Sequence, residues 1–343
     1  MKLSLVELST VEPEKTRHEA LMNSIETAQI AEHLGFERIW VAEHHGARAI
    51  AGRAPEVLIA AIAANTKKIR VGSGSVLLNH YSPFKVAEVF CTLNELYPGR
   101  IDLGAGRATT GRVIDLALQH DRSKIFHSNS NEQLAELLAW LENGFPDDHP
   151  FSTVPIHTDD SIPQMYLLGS STWSSNAAAT LGLRYVFAGF INQQQAPEII
   201  DNYRQNFSPS DNKTSAKKPE VILAVHAVCA DTEEEARLQL APVTLMYQNL
   251  AMGKIDSTVP SPDDAVKALG RLPELTHYQS GSRRIPKFIG GNKESVHNQL
   301  LEIAHDFQVE ELMIQDMITD YNAKKKSLHL LADMIGEGGP MDY

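Results

Sequence analysis

Basic charge, cysteine and long apolar runs are scarce in this sequence, and each shortage removes a class of function. Lys and Arg number 31 against 43 Asp and Glu, a formal net charge of −12 at pH 7. Phosphate backbones are bound by clusters of Lys and Arg, so no nucleic-acid-binding surface is expected. The one basic run, Lys324-Lys325-Lys326, is short and reads as a solvated helix start. Cys91 and Cys229 are the only cysteines, far apart and each among apolar neighbours. They give neither a metal-ligand spacing nor a disulfide framework, and buried inert thiols in a reducing compartment are expected. The longest apolar run, residues 57–64, falls well short of the ~20 residues that span a bilayer. The N-terminus alternates like a strand and lacks the apolar core of a signal peptide. A cytoplasmic protein without membrane contact is therefore the expectation. Common catalytic motifs are missing too: no HExxH, no P-loop, no Ser-His-Asp order and no Cys-His pair.

What is present is a repeating alternation of strand-like and helix-like segments. Strands are predicted near residues 3–6, 38–42, 69–71, 101–105, 165–168, 185–188, 221–228 and 311–314. Helical spacing of Ala20, Leu21, Ile25, Ala28, Ala31 and Leu34 predicts a first helix, closed by Gly35. Pro55 and Pro83 each open a further helix, where a missing N–H costs least. Parallel strands joined by helical crossovers follow. Eight such units in 343 residues predict a single (β/α)8 TIM barrel over residues 1–343, with insertions at its C-terminal face. The insertions fall near residues 108–130, 144–163 and 253–291, which carry little periodicity. An open doubly wound sheet is the alternative, but no Gly-rich fingerprint follows the first strand.

Barrel active sites are built at strand C-terminal ends, and several ends here carry unusual residues. The second strand runs into Glu43-His44-His45. Alternation puts Trp40, Ala42 and His44 on one side, and small Ala42 suits the interior, which aims His44 at the barrel mouth. Adjacent histidines on an extended strand point apart, so this pair is not expected to bind a metal together. The third strand ends in Gly72-Ser73-Gly74-Ser75, whose small residues fit a planar ligand or a tight bend. The fourth ends in Gly104-Ala105-Gly106-Arg107; Arg107 suits a phosphate or carboxylate, or a surface ion pair. The fifth ends in Gly169-Ser170-Ser171-Thr172 before a helix, an arrangement that suits an anion or plain helix capping. Neighbouring strands would let Arg107 and Ser170-Ser171 close on one anion. Asp102 is readable as a structural carboxylate or as an acid–base group, and Asp115, His120, His127 and Trp173 lie near the mouth without an assigned role.

The segments WVAEHH, VGSGSVLL, PGRIDLGAGR and GSSTWSSNAAATLG, with the terminal VEELMI and KKKSLHLLAD, resemble the bacterial luciferase-like flavin monooxygenases, in particular the luciferase-like class oxidoreductases. The resemblance covers most of the chain. It implies a flavin-dependent oxidoreductase, a monooxygenase using reduced FMN as co-substrate and O2 on a small organic substrate. By the same resemblance His44 matches the active-site histidine. Arg107, Gly169, Ser170 and Ser171 match the phosphate-binding positions. Ser73, Gly74 and Ser75 match the segment under the flavin ring, where the family often has a non-prolyl cis peptide. A separate flavin reductase and a homodimer are further implications. Departures are Thr109-Thr110-Gly111 after Ala108, where relatives tend to have Pro-Gly, and Gly106 and Gly169 where the light-emitting subunit carries Cys and Glu; they weaken an expectation of light emission. Two other readings stay open: a flavin-binding protein without turnover, and a deazaflavin-dependent hydride-transfer enzyme.

Overall fold

Helix boundaries follow from local chemistry. Thr16 and Glu19 form a reciprocal capping box that starts the first helix, and Gly35 ends it in the left-handed region at φ 86°. Pro55 and Pro83 sit in the first turns of theirs. The computed structural model describes residues 1–108, 111–119, 129–157, 161–253 and 258–335. In chain order the elements are β1 (Lys2–Glu7), α1 (Arg17–Leu34), β2 (Arg38–Val41), α2 (Pro55–Asn65), β3 (Arg70–Ser73), β4 (Val76–Leu77), α3 (Pro83–Leu96), β5 (Ile101–Gly106), α4 (Arg112–Leu118) and α5 (Ser130–Glu142). Then come β6 (Gln164–Gly169), α6 (Thr172–Thr180), β7 (Arg184–Ala188), α7 (Ala196–Gln205), β8 (Val221–Ala230), α8 (Glu233–Ala251), α9 (Pro262–Leu269), β9 (Ile289–Asn292), α10 (Lys293–Asp306), β10 (Glu311–Gln315) and α11 (Tyr321–Ala332).

All these strands pair in parallel, and β10 pairs with both β1 and β8, which closes the sheet. Of the ten strands, β4 pairs with β5 and β9 with β8 off the ring, leaving a closed barrel of eight in the order β1-β2-β3-β5-β6-β7-β8-β10. The expected (β/α)8 barrel is what the chain forms. The excursion at 253–291 differs from expectation: it holds α9, capped by Ser261 and packed on α8, and β9, which lengthens the β8 edge. Both are short; α9 buries only Ala265 and β9 contains Gly290 and Gly291, so neither leaves a periodic signal. His120, His127, Thr109 and Thr110 lie outside the described residues. Among the described residues no helix is long and apolar enough to cross a membrane.

Strand alternation sorts the core into two shells. Ile39, Val41, Val71, Leu103, Leu167, Phe187, Val225 and Leu312 face the helices. Val6, Trp40, Tyr166, Val186, Ile222, Ala224 and Met313 fill the barrel itself. Each of the Val, Leu, Ile, Phe and Met side chains among them contributes roughly 1.5–3 kcal/mol by leaving water. Trp40 is fully buried, and interior glycines make its room: a Cβ on Gly72 would stand 2.9 Å from the Trp40 indole nitrogen.

The N-terminal end of the barrel is closed by charge. Asp102, fully buried, accepts from Arg38 Nη1 at 2.8 Å, Arg70 Nε at 2.9 Å and Trp40 Nε1 at 2.9 Å. Arg38 also pairs with Glu311 at 2.7 Å and donates to the Tyr166 hydroxyl at 2.8 Å. With donors from three residues on it and no exposure, Asp102 is a structural carboxylate. A polar cleft of about 540 Å³, lined by Lys2, Glu37, Arg38, Arg70, Tyr166 and Glu311 among others, lies at this end. It is the face opposite to the strand C-termini.

Candidate functional site at the barrel mouth

Because the strands are parallel, the ends of β2, β3, β5 and β6 open on one face, and the residues singled out in the sequence gather there. His44 follows β2, its backbone N–H donating to Gly52 O at 3.1 Å. Its Nδ1 is buried and has no hydrogen-bond partner among the described residues. Burial lowers the imidazole pKa from its ordinary value, with Glu43 acting weakly against the shift and His45 adding to it. Burial thus disfavours the charged form of His44, and no described residue engages its Nδ1. His45 turns the other way, to Glu43 at 2.5 Å, as alternation predicts. Glu43 is buried and also accepts from Leu77 N at 2.9 Å and the Tyr81 hydroxyl at 2.6 Å, which ties β2 to β4 and to the start of α3. On α4, Ile114 lies against Gly46, 3.0 Å from where a Cβ would stand, so the segment after β5 flanks the His44 loop.

At the end of β3 the candidate residues divide. Ser73 is fully buried, and its hydroxyl donates to Gly104 O at 2.8 Å and accepts from Gly104 N at 3.0 Å. That hydroxyl joins β3 to β5 and has no hydrogen left for a ligand. The peptide bond Gly74–Ser75 is cis, where the resemblance places a non-prolyl cis peptide. Gly74 and Ser75 are half-buried, and Ser75 packs where a side chain on Gly106 would stand.

Arg107, exposed past the end of β5, stacks its guanidinium on the Trp173 ring at 4.3 Å from the centroid. Among the described residues no carboxylate pairs with it. Trp173 is the second residue of α6 and is held by its Nε1, donating to Asn131 Oδ1 on α5 at 2.9 Å. Asn79 pins the chain just after Arg107 through Ala108 O at 3.1 Å. Ser171 caps α6: its hydroxyl accepts from Ser174 N at 3.4 Å while its own N–H donates to Ser174 Oγ at 3.3 Å. The Ser170 carbonyl accepts from Asn192 Nδ2 at 2.9 Å. A Cβ at Gly169 would collide with the Ser174 side chain, which explains glycine there. The result is a guanidinium, without an acidic partner among the described residues, held beside a helix N-terminus whose first amides have no helical acceptor.

The positions missed in the sequence are the ones that hold others. Trp173 was visible but its contact to Arg107 is not, and Tyr81 and Asn79 gave no signal. Across the barrel, His226 on β8 packs with Phe190, Tyr247 and Phe288, a grouping assembled from separate elements.

Comparisons with known proteins identify the family. A family model described as luciferase-like monooxygenase matches residues 1–289. The chain is similar to the N-acetyl-S-alkylcysteine monooxygenase of Bacillus subtilis (strain 168), 34% identical and covering 98% of each chain. It is similar to the luciferase-like monooxygenase of Escherichia coli (strain K12), 32% identical over 96% of each chain. Among solved structures it resembles that of apo-MsnO8, 39% identical with a TM-score of 0.86, covering 98% of this chain and 99% of that one. The parallel barrel, the mouth built from the ends of β2, β3, β5 and β6, and these matches along the whole chain have one explanation: the protein belongs to the luciferase-like monooxygenase family.

Proposed function

We propose that this protein is the oxygenase of a two-component system, using reduced FMN, delivered by a separate flavin reductase, and O2 on a small organic substrate. The observation that carries the cofactor assignment is Arg107: a guanidinium with no carboxylate partner among the described residues, fixed by Trp173 at the N-terminus of α6. A phosphate there gains the planar guanidinium fork, the amides of Thr172 and Trp173 ahead of the capped Ser174 N–H, and the hydroxyls of Ser170 and Ser171. The half-buried Gly74–Ser75 backbone, without a bulky side chain, gives a flat wall for a ring system. His44 lies at the end of the neighbouring strand, neutral around pH 7, with Nδ1 available to hold or move a proton.

Reduced flavin, when bound, supplies the activation of oxygen. The chain binds and orients it, excludes water and handles the proton at His44. The assignment is tested by mixing the protein with reduced FMN in air-saturated buffer and following flavin oxidation. Bound reduced FMN is expected to oxidise more slowly than free FMN and with different kinetics. Protein that neither binds FMN nor changes its oxidation would sink the assignment, and binding without any turnover of candidate substrates would favour a flavin-binding role alone. A deazaflavin enzyme would instead bind that cofactor and leave FMN free.

A further inference from the structure

We propose that the substrate half of the site is an aromatic basket on β8, rimmed by one lysine, and that it takes an organic acid with an aromatic or alkyl body. The proposal rests on the flavin reading only for what is oxidised, not for what binds. His226 projects into the barrel from β8, 3% exposed, in register with Gln315 on β10. In the closed ring of eight strands, β8 stands four steps from β3 in either direction, so the basket faces the Gly74–Ser75 wall across the mouth.

The hydrogen bonds fix the tautomer of His226. A carbonyl only accepts, so Nδ1 carries the hydrogen toward Gln315 O at 3.2 Å, and Nε2 accepts from the Tyr247 hydroxyl at 3.2 Å. Around this neutral imidazole stand Phe190 at 5.3 Å, Phe288 at 5.4 Å and Tyr247 at 6.1 Å, with Tyr247 and Phe288 6.0 Å apart. Three rings about a neutral imidazole offer apolar and π surface to a ligand body.

Lys287 sets the charge. Its ammonium lies 4.0 Å from the Tyr247 ring centroid and 5.6 Å from that of Phe288. Among the described residues no carboxylate pairs with it. In a chain of net charge −12, a lysine held over two rings beside a basket and left without an acid is complementary to an anionic ligand. A carboxylate reaching Lys287 puts its apolar body among Phe190, His226, Tyr247 and Phe288.

The test is ligand-observed NMR on the full chain, with and without added FMN, using 4-phenylbutyrate and its neutral amide 4-phenylbutyramide as probes. The acid is expected to bind about tenfold or more tightly than the amide. Lys287→Met should erase that preference and Lys287→Arg should restore it; the position is exposed, so folding is not at stake. Equal binding of acid and amide in both conditions, or a preference that survives Lys287→Met, overturns the proposal. FMN titration of the same samples reads the cofactor separately: a Lys287-dependent preference with no FMN binding would fault only the flavin reading.

Discussion

The stack of Arg107 on Trp173 makes a quantitative prediction about flavin affinity. If Arg107 holds a phosphate, its removal affects FMN but not riboflavin, which lacks the phosphate. A hydrogen bond to a charged group is worth about 1.5–3 kcal/mol. Arg107→Ala should therefore weaken FMN about 10- to 150-fold and leave riboflavin nearly unchanged. Trp173 acts through Arg107. Its ring holds the guanidinium at 4.3 Å, an interaction worth about 0.5–1 kcal/mol where solvent reaches it. Trp173→Ala should weaken FMN about two- to fivefold, again with little effect on riboflavin. In the double variant the phosphate-specific loss should equal that of Arg107→Ala alone, since a ring with no guanidinium to hold has nothing left to contribute. Fluorescence titration with both flavins measures all four proteins. Two results would refute the reasoning: equal loss of FMN and riboflavin in Trp173→Ala, which makes the ring a flavin contact, or strict additivity in the double variant.

Two further predictions concern buried charge. Burial holds the His226 pKa down to about 4 from 6.5, so below pH 6.5 the unfolded chain takes up a proton that the folded one refuses. Its contribution to stability is present above pH 6.5 and is lost as pH falls toward 4; between pH 7 and 5 the loss is about 2 kcal/mol. Urea unfolding at both pH values should show a fall that shrinks by that amount in His226→Gln, and an unchanged fall would contradict the burial argument. Asp102→Asn leaves Arg38 and Arg70 without their shared carboxylate and should destabilise the fold by about 3–5 kcal/mol. FMN affinity of the folded fraction should stay the same; a selective loss of flavin binding or turnover at full stability would give Asp102 a chemical role instead.

The barrel was legible because its signals are local. Pro55, Pro83 and Gly35 mark helix ends by backbone geometry alone, and strict alternation through Trp40 and Ala42 forecast which way the β2 side chains face. The same rule separated His44 from His45. What stayed hidden depends on contacts between distant segments. Ser73 was readable only as one of several small residues that suit a planar ligand or a tight bend; that its hydroxyl joins β3 to Gly104 on β5 depends on a strand 31 residues away. Arg107 looked equally like a surface ion pair until Trp173, on another element, was seen beneath it. The basket on β8 draws Phe190, Tyr247 and Phe288 from three other segments, and no spacing along the chain encodes that.

The charged seal of Arg38, Asp102, Arg70 and Glu311 has a kinetic meaning. A barrel stoppered at one end has a single door. Whatever reaches the space between His44 and His226 must pass the strand C-termini, and must leave the same way. On the proposed function, reduced flavin and substrate would share that one door. The cluster that leaves only this way in lies at the opposite end of the barrel from the candidate site.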